Sequence, residues 1–426
     1  MKTQTCFALV DCNNFYVSCE RVFRPDLRDK PVGVLSNNDG CFVARSSEVK
    51  QLGIKMGTPL FKVQNVVDTH GITVFSSNYA LYADMSSRVM STLESFAPRM
   101  EVYSIDEAFL DFSGMREDLE SYSQSIRKTV QRSTGIPVSV GIAPTKTLAK
   151  LANYAAKKWK KTQGVVDLSD PVRRHKLMQL TPVDEIWGIG SRTQQKLNAL
   201  GIHTAYDLAI QSPQAIQKQF NITVSKTVME LNGVSCIELE PMSPDKQQIV
   251  CSRSFGQPLT SVADISAALS EYCTRAAEKL RGQHSKVHCI SVFVRTNPFS
   301  RCDKQYGRSA TFKLDVATQD TRVIVMTANT LLNHLYKAGY RYQKCGVQLS
   351  HLVPVSTPEQ MLLLDSQRAV LPKENPTLMA AIDKINRTFP KSITLGSALS
   401  KGAWQPKANQ LSSHYTTNWN ELMVVK

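Results

Sequence analysis

Short unbroken apolar runs alternate along this chain with stretches whose apolar residues recur every three or four positions. The run 7–10 reads as a strand ending in an acid, Asp11. Asn13 and Asn14 then turn the chain into a helix. Residues 31–35 form a second short apolar strand, followed by the turn signal Asn37-Asn38-Asp39-Gly40. A short helix is expected within 43–57, closed near Gly53 with Lys50 in its last turn. Leu81, Met85, Val89 and Leu93 recur at i, i+4 and predict an amphipathic helix over 78–93. A strand-like run over 103–111, a helix over 121–132, a strand over 138–143 and a helix over 145–161 follow. The unit closes near residue 168 as an α/β or α+β sheet layered with helices.

From Asp170 helical pieces replace strands. Residues 182–202 read as a helix, then Gly188-Ile189-Gly190, then a second helix capped by Gly201, which is a helix-hairpin-helix. Gly188 and Gly190 let backbone N–H groups face a phosphate, and the following helix N-terminus adds its dipole. A plain structural helix turn is the alternative. Pro241 and Pro244 among polar residues mark a linker. Beyond it the pattern predicts strand, helix, strand, strand, helix, strand, a βαββαβ order with two helices on one face of a small sheet. The tail from about 355 lacks clear periodicity. Its apolar hexamer 360–365 reads either as a docking peptide or as a buried anchor.

Composition narrows the class. The chain has 426 residues, 42% hydrophobic and 20% charged, as for a multidomain soluble protein. No apolar run approaches the roughly 18 residues of a membrane span, and Asp11 and Glu20 interrupt the N-terminal apolar stretch where a signal peptide would need continuity. A cytoplasmic protein with no membrane partner is expected. Ten scattered cysteines without a CxxC pair argue against structural zinc and a disulfide framework. The net charge of +15 points to a polyanion, and residues 241–350 alone carry 15 Lys and Arg against 7 Asp and Glu. A basic sheet with Ser, Thr and Arg on its open face would track a phosphate backbone. Arg253 and Arg295, on its strands, are the candidate DNA contacts together with Gly188 and Gly190.

The adjacent acids Asp106 and Glu107 carry the candidate chemistry. They sit in a run, 103–111, whose other members want burial, and an unpaired buried carboxylate costs several kcal/mol. Adjacent carboxylates on a half-buried strand have a use if a cation sits there; a solvated turn or strand end is the competing explanation. Asp11 at its strand end would suit a metal-bound triphosphate, or would simply cap a turn. Lys146, Lys150 and Lys157 lie near one another in angle on their helix, since seven residues make almost two turns. Such a row beside three acids is what a nucleoside triphosphate with magnesium needs. Lys50 and Arg45 could also meet phosphates, or form a solvated face.

Several ordered phrases stand out: Asp11-Cys12-Asn13-Asn14-Phe15-Tyr16, Arg24-Pro25-Asp26-Leu27, Leu35-Ser36-Asn37-Asn38-Asp39-Gly40-Cys41, Tyr103-Ser104-Ile105-Asp106-Glu107-Ala108-Phe109, residues 145–153, Ile186-Trp187-Gly188-Ile189-Gly190 and residues 251–256. Together they resemble the Y-family lesion-bypass DNA polymerases of the UmuC type. The likeness runs over nearly the whole chain. It implies an α+β multidomain right-hand polymerase: palm sheet at 1–30 and 79–168, small fingers at 31–78, a helical thumb at 169–240 with its helix-hairpin-helix at 184–202, a βαββαβ little finger at 247–352, and a partner-binding tail at 353–426.

The same resemblance implies error-prone translesion synthesis in the SOS response, with primer-template DNA and dNTP as substrates. Asp11, Asp106 and Glu107 are then the catalytic carboxylates, holding two Mg²⁺ ions with the carbonyl of Cys12. Lys50 and Lys157 fall on triphosphate contacts, Lys50 where many relatives have Arg. Tyr16 falls on the steric gate, where a ring under the sugar excludes a ribose 2′-OH. Ser47 stands where some relatives have an aromatic phosphate contact, which leaves that contact open. Implied partners are a UmuD′-like dimer, RecA, and a sliding clamp met through Gln360, Leu363 and Leu364, where Leu364 replaces the usual aromatic. Two other readings compete: a nucleotidyl cyclase-like enzyme, which needs neither the hairpin nor the basic domain, and a DNA-binding protein without catalysis, against which the intact acids argue.

Overall fold

All six residues of the strand Phe7–Cys12 (β1) are buried, because both of its faces are covered. In the computed structural model the described residues are 5–242, 244–358, 372, 374–389, 392–398 and 404–422. They fall into two units, one of residues 1–36, 40–243 and 410–426, the other of 37–39 and 244–409.

In the first unit β1 leads into the helix α1 (Phe15–Phe23), entered through Asn14 in the left-handed region at φ 48°. The strands β2 (Val32–Leu35), β3 (Phe42–Arg45) and β4 (Thr73–Ser76) form a small sheet in the order β3-β2-β4. Its helices are α2 (Ser47–Gln51), capped by the Ser46 hydroxyl, and α3 (Gln64–Thr69). Next comes α4 (Tyr79–Leu93), whose first turn is capped by the Asn78 side chain. Its predicted stripe is buried in full: Leu81, Met85, Val89 and Leu93 are each at most 3% exposed, each removal from water contributing about 1.5–3 kcal/mol.

The main sheet is completed by β5 (Met100–Val102), β6 (Glu107–Asp111), β7 (Val138–Ala143) and β8 (Val165–Asp167), in the order β5-β6-β1-β7-β8. The helices α5 (Leu119–Thr134) and α6 (Lys146–Lys158) are interleaved with them. Strand alternation sorts the two cores. Ala8, Val10, Ala108 and Leu110 face the core shared with α1, α4 and α5. Phe7, Leu9 and Phe109 face the core shared with α6. Asp11 and Glu107 continue this second series, so period two places both acids on the α6 side. A Cβ at Gly141 would stand 2.2 Å from the Asn153 nitrogen, so the bare backbone there is what lets α6 lie down on β7.

The expected strand over 103–111 is broken. Met100–Val102 and Glu107–Asp111 pair as a hairpin, and both Tyr103 and Ser104 donate their N–H to the Glu107 carbonyl across the turn. Asp106 therefore belongs to a turn and Glu107 opens a strand.

Beyond the sheet come α7 (Pro171–Leu180), α8 (Ser191–Ala199), α9 (Ala205–Ala209), α10 (Pro213–Gln219) and α11 (Ile222–Leu231). The hairpin lies between α7 and α8, with a 3₁₀ turn, Val183–Glu185, inside it. Gly201 at φ 78° follows the end of α8.

The second unit has the expected βαββαβ order: β9 (Gln248–Leu259), α12 (Val262–Gly282), β10 (Ser285–Thr296), β11 (Gly307–Thr318), α13 (Thr321–Leu335) and β12 (Tyr342–Pro354). The strands run β11-β10-β12-β9, and α12 and α13 cover one face with a core built around Leu269, Ile290, Leu332 and Val347. A further helix, α14 (Pro376–Thr388), is fastened by the ion pair of Arg281 with Asp383, 2.6 Å. No helix among the described residues is long and apolar enough to cross a membrane.

Candidate active site

Asp11 and Glu107 stand opposite each other in register at the ends of β1 and β6. The Cys12 N–H donates to the Asp106 carbonyl at 2.8 Å, which ties the turn bearing Asp106 to the end of β1. Each paired acid meets a lysine of α6: Lys157 Nζ lies 2.5 Å from Asp11 Oδ2, and Lys150 Nζ lies 2.6 Å from Glu107 Oε2. Lys150 also lies 4.3 Å from the Tyr103 ring centre and 5.4 Å from that of Trp187. Trp187 in turn donates its indole N–H to the Tyr103 hydroxyl at 3.2 Å. The tryptophan of the hairpin is thus fastened to the acid-bearing turn.

Burial pushes the Asp11 carboxyl well above the usual carboxylate range, against the pull of Lys157. Burial opposes the charge of Glu107 as well, but hydrogen bonds from Asp11 and Lys150 and the two lysine charges hold it below the ordinary value. The pair therefore shares its charge unequally, with Glu107 the more readily ionised member.

A cleft of about 1000 Å³ opens beside these groups. Asp11, Cys12, Asp106, Tyr16, Lys50 and Lys157 all line it, as do Arg45, Ser47, Arg127 and Lys160. Lys50 donates to the Asn14 side-chain oxygen at 2.6 Å. Burial lowers its pKa first, and Arg45 and Lys157 lower it further. The Tyr16 ring stacks on Tyr82 at 4.3 Å with planes 16° apart.

Three carboxylates are hard oxygen donors of the kind Mg²⁺ takes, and two of them already face each other while the third lines the same cleft. Asp106 accepts from the Ser104 hydroxyl at 2.7 Å. Among the described residues no three His, Cys, Asp or Glu side chains stand close enough together to hold one ion. The donor types fit the metal, while the three carboxylates are not drawn together around one point here.

The nucleic-acid candidates divide. Gly188, at φ 88°, and Gly190, at the N-cap of α8, are exposed at the hairpin. Arg295 is exposed and pairs across strands with Lys344, so both stand on the open face of the second unit's sheet; burial, then Arg295, lowers the pKa of Lys344. Arg253 pairs with Cys345, which is buried under the helices, and so shares the register of the covered face. Gln360, Leu363 and Leu364 lie outside the described residues.

Lys146, read with Lys150 and Lys157 as one row, is 2% exposed and salt-bridged to Glu101. It belongs to the core rather than the cleft. Lys150, expected in that row to face a triphosphate, instead pairs with Glu107 and does not line the cleft, and one residue that shapes the site, Tyr82, is marked by no local pattern.

These elements define the class: the mixed α/β fold, hairpin and βαββαβ unit are those of Y-family DNA polymerases. A chimeric Y-family DNA polymerase of known structure superposes with a TM-score of 0.69 at 23% identity, over 82% of this chain and 99% of that one. The family itself follows from sequence. Residues 10–154 match the impB/mucB/samB family, 246–363 its C-terminal domain, 173–202 the HHH motif of the same family, and 376–425 a domain of unknown function. UmuC of Salmonella typhimurium is 49% identical over 99% of this chain and all of its own length, and SamB of Salmonella typhimurium is 47% identical over 99% of both. The chain belongs to the impB/mucB/samB family, the UmuC-type branch of the Y-family DNA polymerases.

Proposed function

We propose that the chain is the catalytic subunit of error-prone translesion synthesis in the SOS response, joining a dNTP to a primer 3′-hydroxyl with two Mg²⁺ ions held by Asp11, Asp106, Glu107 and the Cys12 carbonyl. The observation that carries this reading is the register pairing of Asp11 with Glu107 beside a cleft whose rim supplies Lys50, Lys157 and Tyr16. When bound, the metal pair would lower the pKa of the attacking hydroxyl and neutralise the leaving pyrophosphate. The residues supply the rest. Lys157 and Lys50 bring positive charge to the triphosphate. Lys150 holds Glu107 in place from outside the cleft. Tyr16 excludes a ribose 2′-hydroxyl by its ring. Arg295 and Lys344 on the open sheet face, with the exposed glycines of the hairpin, grip duplex backbone without reading sequence. A UmuD′-like dimer, RecA and a sliding clamp are the proposed partners, the cytoplasm the proposed compartment.

The test is primer extension opposite an abasic site with Mg²⁺, with and without the UmuD′-like partner, comparing wild type with Asp106→Asn. The variant is expected to lose extension while binding primer-template near normally. Retained synthesis by Asp106→Asn would remove the metal assignment.

A further inference from the structure

Behind the cleft, Tyr82 is fully buried, and its hydroxyl donates to Glu20 Oε1 at 2.6 Å. Glu20 is itself 0% exposed, on the opposite side of α1 from solvent. Its second carboxylate oxygen has no hydrogen-bond partner. The other donor on Glu20 Oε1 comes from far along the chain: the Ser412 hydroxyl, at 3.1 Å. Ser412 is 7% exposed and is also held by Asn78, whose side-chain amide donates to the Ser412 hydroxyl at 3.0 Å and to its carbonyl at 3.3 Å. The same Asn78 caps α4, the helix that carries Tyr82.

Neighbouring contacts extend this fastening in both directions. Residues 76 and 410 are bonded in both directions at the end of β4: the Ser76 N–H donates to the Gln410 carbonyl at 2.9 Å, and the Gln410 N–H donates to the Ser76 hydroxyl at 3.0 Å. Tyr415 stacks on Phe23 at 4.7 Å with planes 4° apart. Phe23 ends α1, the helix that carries Tyr16. Residues 410–415 thus touch both helices whose tyrosines stack, meeting α1 at Phe23 and the buried Glu20 carboxylate and α4 at its capping residue Asn78. A buried carboxylate with a single hydroxyl partner has freedom to turn; a second donor on the same oxygen fixes its plane and thereby the phenol it binds.

We infer that Ser412 is a positioning residue for sugar discrimination, holding Glu20 so that Tyr82 backs the Tyr16 ring at one fixed height in the cleft. The inference rests on the reading of Tyr16 as the gate. It assigns a task to part of a segment, 376–425, whose family model is a domain of unknown function.

The experiment measures kcat/KM for rNTP and for dNTP in the primer-extension assay above, on the full chain and on Tyr16→Ala, Ser412→Ala, Ser412→Thr and Tyr16→Ala with Ser412→Ala. Tyr16→Ala is expected to relax the rNTP:dNTP ratio most. Ser412→Ala should relax it about three- to tenfold, the order set by the net worth of one ordinary hydrogen bond. Ser412→Thr, which keeps the hydroxyl, should restore the wild-type ratio, and Ser412→Ala should add nothing once Tyr16 is Ala. A wild-type ratio in Ser412→Ala, with Tyr16→Ala relaxed, overturns the positioning role and leaves the gate standing. Equal relaxation by Ser412→Thr and Ser412→Ala also overturns it, since bulk rather than the hydroxyl would then be at work. An unchanged ratio in Tyr16→Ala removes the gate, and the inference with it.

Discussion

Asp11 and Glu107 face each other across neighbouring antiparallel strands, and each is paired with a different lysine of one helix, seven residues apart. The two lysines stand in different surroundings. Lys157 lines the cleft, whereas Lys150 sits outside it under Trp187 and Tyr103. Lys157→Met should therefore raise the KM for dNTP, and a charge-assisted contact of about 1.5–3 kcal/mol makes the loss in kcat/KM about 10- to 100-fold. Lys150→Met should instead lower kcat about tenfold with KM little changed, because Glu107 is left unanchored. Single-nucleotide incorporation kinetics separate the two. If both variants raise KM equally, the division between them is wrong.

Gly141 sets how closely α6 lies on β7, and so where both lysines stand. An added Cβ would meet three backbone atoms, the Asn153 nitrogen at 2.2 Å, the Ala149 oxygen at 2.3 Å and the Ala152 carbonyl carbon at 2.8 Å. Backbone cannot swing aside as a side-chain tip can. Gly141→Ala is expected to cost about 1–3 kcal/mol or more, read as a lower urea midpoint, and to reduce extension by the folded fraction as well. A wild-type midpoint would mean that the helix packing is looser than this contact requires.

Much of this arrangement was legible from pattern alone. The stripe on α4, the βαββαβ order and the acidic end of β1 each follow from periodicity, since the same burial that creates the pattern builds the element. What escaped has physical causes. The strand-forming side chains of Tyr103 and Ile105 hid the turn between β5 and β6, which is made by backbone hydrogen bonds to Glu107. Angular position put Lys146 with Lys150 and Lys157, but depth along the helix decides its fate: the first turn of α6 enters the core, and its ammonium meets Glu101 there. Residues 410–415 carry no periodicity, so their fastening to α1 and α4 depends on single contacts at a sequence distance of more than 300 residues.

The buried pair of Lys146 with Glu101 gives a stability test independent of catalysis. Lys146 also donates to the Glu238 carbonyl at 2.7 Å, and Glu101 accepts the Glu240 N–H at 2.7 Å. Lys146→Met should cost about 3–5 kcal/mol, because it leaves a carboxylate unpaired in the interior. Lys146→Met combined with Glu101→Leu should recover part of that loss. Urea unfolding of the four proteins in the cycle gives the coupling; additive losses would show that the two side chains do not depend on each other.

Glu20 predicts a pH dependence with a definite sign. Burial raises its pKa above the ordinary 4.5, while hydrogen bonds from Tyr82 and Ser412 and the charge of Arg24 pull the other way without overcoming it. A carboxyl whose folded-state pKa is raised binds its proton more tightly folded than unfolded. Its contribution to stability is therefore fully present below the unfolded value, near 4.5, and is lost as pH rises through the folded value. Glu20→Gln cannot titrate, and its amide N–H₂ takes the position of the oxygen that has no partner, which costs about 1–3 kcal/mol at every pH. At pH 4 the variant should accordingly be the less stable protein. Between pH 4.5 and 8 the gap should narrow, as wild type gives up stability that the variant never had. Urea midpoints taken at half-unit steps of pH read this directly. A gap that stays constant across the range would mean that Glu20 titrates alike in the folded and unfolded chain, and a gap that widens would mean that its neighbours favour the charged form.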